Sequence, residues 1–269
     1  MLSDPPETLP GSAPIPSGGP IRITMNTPYD EMIAPNQTRI VFVHVGKCAG
    51  SSVILSLAQA LTDRYVMYEM HTRTAGQIIR DTLASKAEDF IYLVTLRDPI
   101  ARFVSAFNWD KHALYLAGRV KELVYRVHFE EFTDADTLAC ALSSENGERA
   151  ERALEFARFG HMGMGPAWYL PEDVVKALPL DRTFLCETEN FARDLQRFAG
   201  LMDSRYLEQQ IVVPREKADY KQSYENPEAV FGPPLSDLAR RNLRILLDDD
   251  YRTQRALKRR FGTVWDSPA

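Results

Sequence analysis

The chain has little cysteine, no long apolar run and no excess of basic residues. Three cysteines in 269 residues (Cys48, Cys140 and Cys186) are too few for a disulfide-stapled scaffold. They stand far apart with no Cys-x-x-Cys pair, which argues against a structural zinc site. Reduced thiols in a cytoplasmic protein are the expectation. No apolar stretch reaches the roughly 18–20 residues of a membrane span. The N-terminus lacks a basic segment followed by an apolar one, so no secretory signal is expected. Lys and Arg total 32 against 37 Asp and Glu, a net charge of -5. That argues against a broad basic surface for nucleic acid, but leaves room for a small basic pocket around one anionic ligand. No carboxylate or histidine cluster in the sequence suggests a metal.

Proline, by contrast, is concentrated at one end. Residues 1–38 hold eight of the 17 prolines and a single basic residue, Arg22. Proline removes backbone donors and fixes φ, so the composition predicts an extended or disordered arm outside the fold. One folded domain is expected over 39–269.

That domain opens with Arg39–Val45, an almost continuous apolar, β-branched run bounded by Pro35-Asn36 and Gly46. This is the pattern of a strand buried on both faces. A helix is expected from Gly50, with Val53, Leu57 and Leu61 on one face. Tyr65–Met70 reads as a second strand, Thr74–Ser85 as a helix and Phe90–Leu96 as a third buried strand. Asp98-Pro99 supplies an N-cap and an N1 proline for the next helix. Alternating strands and helices predict an α/β fold, a central parallel sheet flanked by helices. Beyond residue 110 the pattern is mostly helical. A late strand is expected at Thr183–Cys186, with helices at Phe191–Leu201, Leu235–Leu247 and Tyr251–Phe261.

In such sheets ligands bind at the carboxyl ends of the strands. Two segments put unusual residues there. Gly46-Lys47-Cys48-Ala49-Gly50-Ser51-Ser52 joins the first strand to a helix. Small residues let backbone N–H groups approach an anion, the helix N-terminus adds partial positive charge, and Lys47 adds a full one. Ser51 and Ser52 can donate to phosphate oxygens. The spacing departs from Gly-x4-Gly-Lys-Ser/Thr, since no Ser or Thr follows the lysine, so the loop is not a triphosphate site of that type. The second segment runs from Leu96 to Phe107. Arg97 ends a strand, and Ser105 lies two turns into the next helix on a face shared with Arg102. An arginine and a serine so placed can grip a second phosphate.

Together the two segments resemble the sulfotransferases that use 3′-phosphoadenosine 5′-phosphosulfate (PAPS). The likeness is closest to the carbohydrate branch that includes the heparan sulfate 2-O- and 6-O-sulfotransferases. It is carried by residues 39–110 and implies a P-loop-like three-layer fold. It also implies that Lys47 contacts the phosphosulfate, that residues 46–52 hold the 5′-phosphate, and that Arg97 and Ser105 bind the 3′-phosphate. Gly46 stands in place of the usual proline, and Cys48-Ala49 in place of the usual Thr-Gly. Cys48 in a cationic loop invites a lowered thiol pKa. A hydroxyl acceptor, either a carbohydrate or a small metabolite, is implied. A P-loop phosphotransferase and a catalytically silent nucleotide-binding module are the alternatives.

A sulfuryl acceptor must lose a proton, so a base is needed. The resembling enzymes place a histidine between the two motifs, and His71 is the only one between residues 47 and 97. Glu69 is the second candidate. His44 reads as structural, and His112 and His128 as surface residues. His161, Trp168 and Tyr169 lie in a glycine-rich, aromatic stretch suited either to lining an acceptor site or to packing as a loop. Arg215, Lys217 and Lys221 form a late cationic patch that reads as a solvated charge run, although the resembling enzymes often return such a loop to the nucleotide.

Overall fold

The structure is a computed structural model that describes residues 19–32, 36–71, 74–85, 87, 89–119, 123–214 and 219–262. Five parallel strands are β1 (Arg22–Met25), β2 (Thr38–Val43), β3 (Tyr65–Met70), β4 (Phe90–Leu96) and β5 (Thr183–Glu187). They lie in the order β1-β3-β2-β4-β5. Helix α1 (Gly50–Ala60) links β2 to β3, and α2 (Ala75–Ala84) links β3 to β4. Helix α3 (Pro99–Asp110) leaves β4 and continues as a π-helical turn over Lys111–Leu116.

A helical region follows: α4 (Leu123–Glu131), α5 (Ala135–Ala141), α6 (Gly147–Ala157), and the short α7 (Gly160–Gly163), α8 (Pro166–Tyr169) and α9 (Glu172–Ala177). After β5 come α10 (Phe191–Met202), α11 (Pro227–Phe231), α12 (Asp237–Leu246) and α13 (Asp248–Phe261).

Strand periodicity assigns the two faces of the sheet. Val41, Val43, Tyr68, Met70, Val94 and Leu96 point to one side and pack with Ile79 of α2 and Leu257 of α13. Ile40, Phe42, Met67 and Leu93 point to the other and pack with Leu57 of α1 and Phe198 of α10. Successive side chains alternate across a strand, so a sheet covered on both faces needs the continuous apolar runs seen in β2 and β4. A third cluster, from Phe103 and Phe107 through Phe156 to Leu243, holds α3 to α5, α6 and α12. The next strand in sequence lies to one side of β2 after α1 and to the other side after α2. This reversal opens a crevice at the carboxyl ends of β2 and β4.

The proline-rich end departs from expectation. Residues 1–18 lie outside the described residues. Arg22–Met25, expected in the arm, is instead a strand paired with β3 from Arg22↔Val66 to Met25↔Glu69. This stretch holds no proline and includes Ile23 and Thr24, so it can complete the ladder on the open edge of β3. β2 also ends two residues early, at Val43, although the His44 N–H still donates to the Met70 carbonyl at 3.1 Å.

His128 is not a surface residue. It is 3% exposed and stacks on Phe156 with ring centroids 5.0 Å apart. His112 is half-buried, with its ring against Tyr220 and its Nδ1 2.8 Å from the Tyr224 hydroxyl. Both sit on helices whose polar sequence masks a tertiary partner.

Candidate active site

A cleft of about 1220 Å³ opens at the crevice. Ligand pockets run to about 300–1,000 Å³, so this one has room for two ligands side by side. Its floor is the β2–α1 loop. Lys47 and Ala49 both adopt left-handed backbone, φ +67 and +61. The turn aims the first N–H groups of α1 at the cleft, where Gly50, Ser51 and Ser52 form the wall. Gly50 is required by packing: a Cβ there would lie 1.9 Å from His44 Nε2. Ala49 carries strain that a glycine would not. A left-handed alanine costs about 1–2 kcal/mol, against roughly 0.5–1 kcal/mol for the extra chain entropy of glycine. Ala49→Gly is therefore expected to raise stability by about 0.5–1 kcal/mol, read by denaturant unfolding.

The second motif reaches the same cleft. Asp98 caps α3 by accepting from the Ala101 N–H at 2.9 Å, with Pro99 at the first position. This places Arg97 at the cleft, where its Nη1 donates to the Lys47 carbonyl at 3.2 Å. The two motifs, separated by 50 residues, are thus tied directly. Ser105 lines the cleft one turn before Trp109, and the Lys47 ammonium sits over the Trp109 ring at 4.2 Å from its centroid. Lys221 also lines the cleft. Burial and the nearby charge of Arg97 hold its ammonium below the usual lysine range. Cations crowded in this way favour an anion between them. The late basic patch therefore returns to the site through Lys221, while Arg215 and Lys217 lie outside the described residues.

Arg102 does not line this cleft. It is fully buried and donates to the carbonyls of His161 (2.6 Å), Met162 (2.7 Å) and Met164 (3.4 Å), with Asp250 3.7 Å away. Three residues along a helix are about 60° apart, enough to put Ser105 on the cleft and Arg102 in the core. Cys48 is also buried, with its side chain in the sheet core. Burial pushes its thiol up to about 12, the reverse of an activated thiolate. Gly46 is not part of the cleft wall; it lies under the rings of His161 and His71.

Histidines cluster at the end of β3. The His71 Nδ1 donates to the His44 carbonyl at 3.0 Å, and the two rings stack with centroids 4.0 Å apart. With its proton on Nδ1, His71 has its lone pair on Nε2. Burial first, and then the neighbouring His44, hold its pKa below the usual 6.5. His44, read as structural, lines the cleft as well. Its Nδ1 lies 2.5 Å from Glu69 Oε1, and Glu69 is 4% exposed and off the cleft wall. Glu69 thus backs His44 from outside the cleft lining.

His44, Glu69 and His71 have ligand-type atoms within 4.8 Å of one another, a cluster that the sequence reading missed. Each Nδ1 there is already hydrogen-bonded within the protein. His161 lines the cleft, whereas Trp168 and Tyr169 do not. Tyr169 is fully buried and Trp168 is solvent-exposed on α8, which packs on α13 and α2. The segment Thr188–Arg193, at the start of α10, forms a further wall that sequence reading did not assign.

A family model described as the sulfotransferase family matches residues 30–253. The chain belongs to the sulfotransferase family. No curated protein matches it. The match spans both cleft motifs, β3 with His71, and the helical region that carries His161. Members of this family transfer a sulfuryl group to an acceptor, and the α/β parallel sheet is the fold expected of them. Among the described residues no helix is long and apolar enough to cross a membrane.

Proposed function

We propose that this sulfotransferase takes its sulfuryl group from PAPS and delivers it to a hydroxyl of a carbohydrate or small metabolite. The observation that carries the reading is the convergence of Lys47, the α1 N-terminus, Arg97, Ser105 and His71 on one cleft. The donor set fits an adenosine with phosphate at both ends. Lys47 and the N–H and hydroxyl groups of Gly50, Ser51 and Ser52 would hold the 5′ end. Arg97 and Ser105 would hold the 3′-phosphate.

When bound, PAPS supplies an activated sulfuryl group with a phosphate leaving group. The protein contributes position and charge. His71 presents Nε2 as a base to the acceptor hydroxyl and takes its proton. Its neutral state at pH 7 follows from burial against the His44 ring. Lys47 and the helix N-terminus stabilise negative charge on the departing phosphate oxygen. Glu69 anchors His44, which fixes His71 through stacking and its carbonyl.

Calorimetric titration with 3′-phosphoadenosine 5′-phosphate (PAP), AMP and ATP tests the reading. Wild type is expected to prefer PAP, and Arg97→Ala to lose that preference by about 10- to 100-fold, the worth of a charge-assisted pair. Equal or better binding of ATP with magnesium would overturn the donor assignment in favour of a phosphotransferase.

A further inference from the structure

We propose that His161 and Asn108 form a second recognition point for the acceptor. They would receive a hydroxyl or amino group one or two bonds from the hydroxyl that His71 deprotonates. The inference rests on the sulfuryl-transfer reading above and adds a specificity to it.

Asp110, at the end of α3, is fully buried. Its Oδ1 lies 2.5 Å from His161 Nδ1, and its Oδ2 accepts from the His161 backbone N–H at 3.1 Å. Two bonds from one carboxylate fix the ring and its tautomer. With the proton on Nδ1, the neutral ring carries its lone pair on Nε2, and the residue lines the cleft. Asp110 is the positioning residue. The backbone is shaped to admit it: Gly160 has φ +54, and a Cβ there would lie 2.8 Å from Asp110 Oδ2.

The two histidines meet over Gly46. A Cβ at that position would lie 3.2 Å from His161 Cδ2 and 3.7 Å from His71 Cε1. The ring centroids are 6.2 Å apart. Hydrogen bonds of about 2.8 Å, one to each Nε2, then reach two neighbouring groups of one small molecule. Asn108 lines the same cleft, two residues before Asp110, and is 3% exposed. Its Oδ1 has no hydrogen-bond partner among the described residues. A buried amide oxygen without a partner is costly, and a ligand donor satisfies it once the amide turns toward the cleft. His71 Nε2, His161 Nε2 and Asn108 Oδ1 are all acceptors. A hydroxyl has one proton to give and an amino group two, so a second hydroxyl pairs one of His161 Nε2 and Asn108 Oδ1 while an amino group pairs both; an acceptor compound lacking either leaves both unpaired, which is the strong form of discrimination.

The test uses the full-length protein, PAPS, and two probes of equal ring size, trans-cyclohexane-1,2-diol and cyclohexanol. Wild type is expected to favour the diol in kcat/KM by at least about tenfold, mostly through KM. His161→Leu and Asn108→Leu should each bring that ratio toward one, and His161→Gln, which keeps an acceptor atom, should retain part of it. A second readout needs no turnover. In the PAP-bound protein the Cε1 proton resonance of His161 should shift on adding the diol and stay in place with cyclohexanol. Equal use of both probes by wild type, or a ratio insensitive to both leucine variants, overturns the inference. PAP binding without a diol-dependent shift does the same and leaves the donor reading standing. Failure to bind PAP overturns the donor reading itself.

Discussion

His71→Asn is expected to lower kcat for sulfuryl transfer by about 100- to 10,000-fold, the usual worth of a positioned general base. Asparagine keeps a polar side chain that can still meet the His44 carbonyl, but it has no basic nitrogen. PAP affinity by calorimetry should stay within about twofold of wild type, because the loss is in the chemical step. The pH profile gives an independent check. Burial and His44 place the titration of His71 below 6.5. Activity should therefore be on its plateau at pH 7 and fall only as acid protonates Nε2, with the acid limb below 6.5. In His71→Asn that limb should vanish from the residual rate. A variant that turns over near the wild-type rate would remove His71 from the role, and the Asp110-backed His161 would be the next group to test.

The contrast between these two histidines shows how far sequence reasoning reaches. His71 was legible because a local pattern places it: β3 is a short apolar strand, and its end must lie at the same sheet edge as the β2–α1 loop. The same holds for β2, β4 and the Asp98-Pro99 cap, each set by residues close in sequence. His161 was noticed only through its glycine-rich surroundings. Its partner Asp110 is 51 residues away on a different helix, and nothing in either segment names the other. Glu69 looked like a base because it precedes His71 by two. The structure gives its carboxylate to His44, 25 residues earlier, through the pairing of β2 with β3. Cys48 shows the opposite limit. Its neighbours in sequence are cationic and small, but the turn after Lys47 drives its side chain into the sheet core, where burial sets its chemistry. β1 was hidden by composition, since flanking prolines outweigh a four-residue stretch that the open edge of β3 recruits.

Arg102→Leu is expected to destabilise the fold by about 3–5 kcal/mol, the cost of removing one partner of a buried ionic pair. Arg102 is fully buried, and its guanidinium is the hub of a loop. It donates to the carbonyls of His161, Met162 and Met164 and faces Asp250, which is 8% exposed. Leucine leaves three carbonyls short of a donor and Asp250 without its cation. Burial already raises the Asp250 pKa above 3.8 while Arg102 pulls it down, so the variant raises it further.

The sign follows from proton binding. A carboxyl with a raised folded pKa binds more protons folded than unfolded, so its penalty is fully present above the folded pKa and fades as pH falls toward 3.8. The stability gap between wild type and variant, from urea unfolding, should therefore narrow between neutral pH and about pH 4. Arg102→Leu combined with Asp250→Asn should cost less than the two single losses added together, because the charge left behind is removed with its partner. An additive double variant, or a gap independent of pH, would show that Arg102 acts only through the loop carbonyls. Even then the arginine governs the site, because the carbonyl it holds at 2.6 Å belongs to His161.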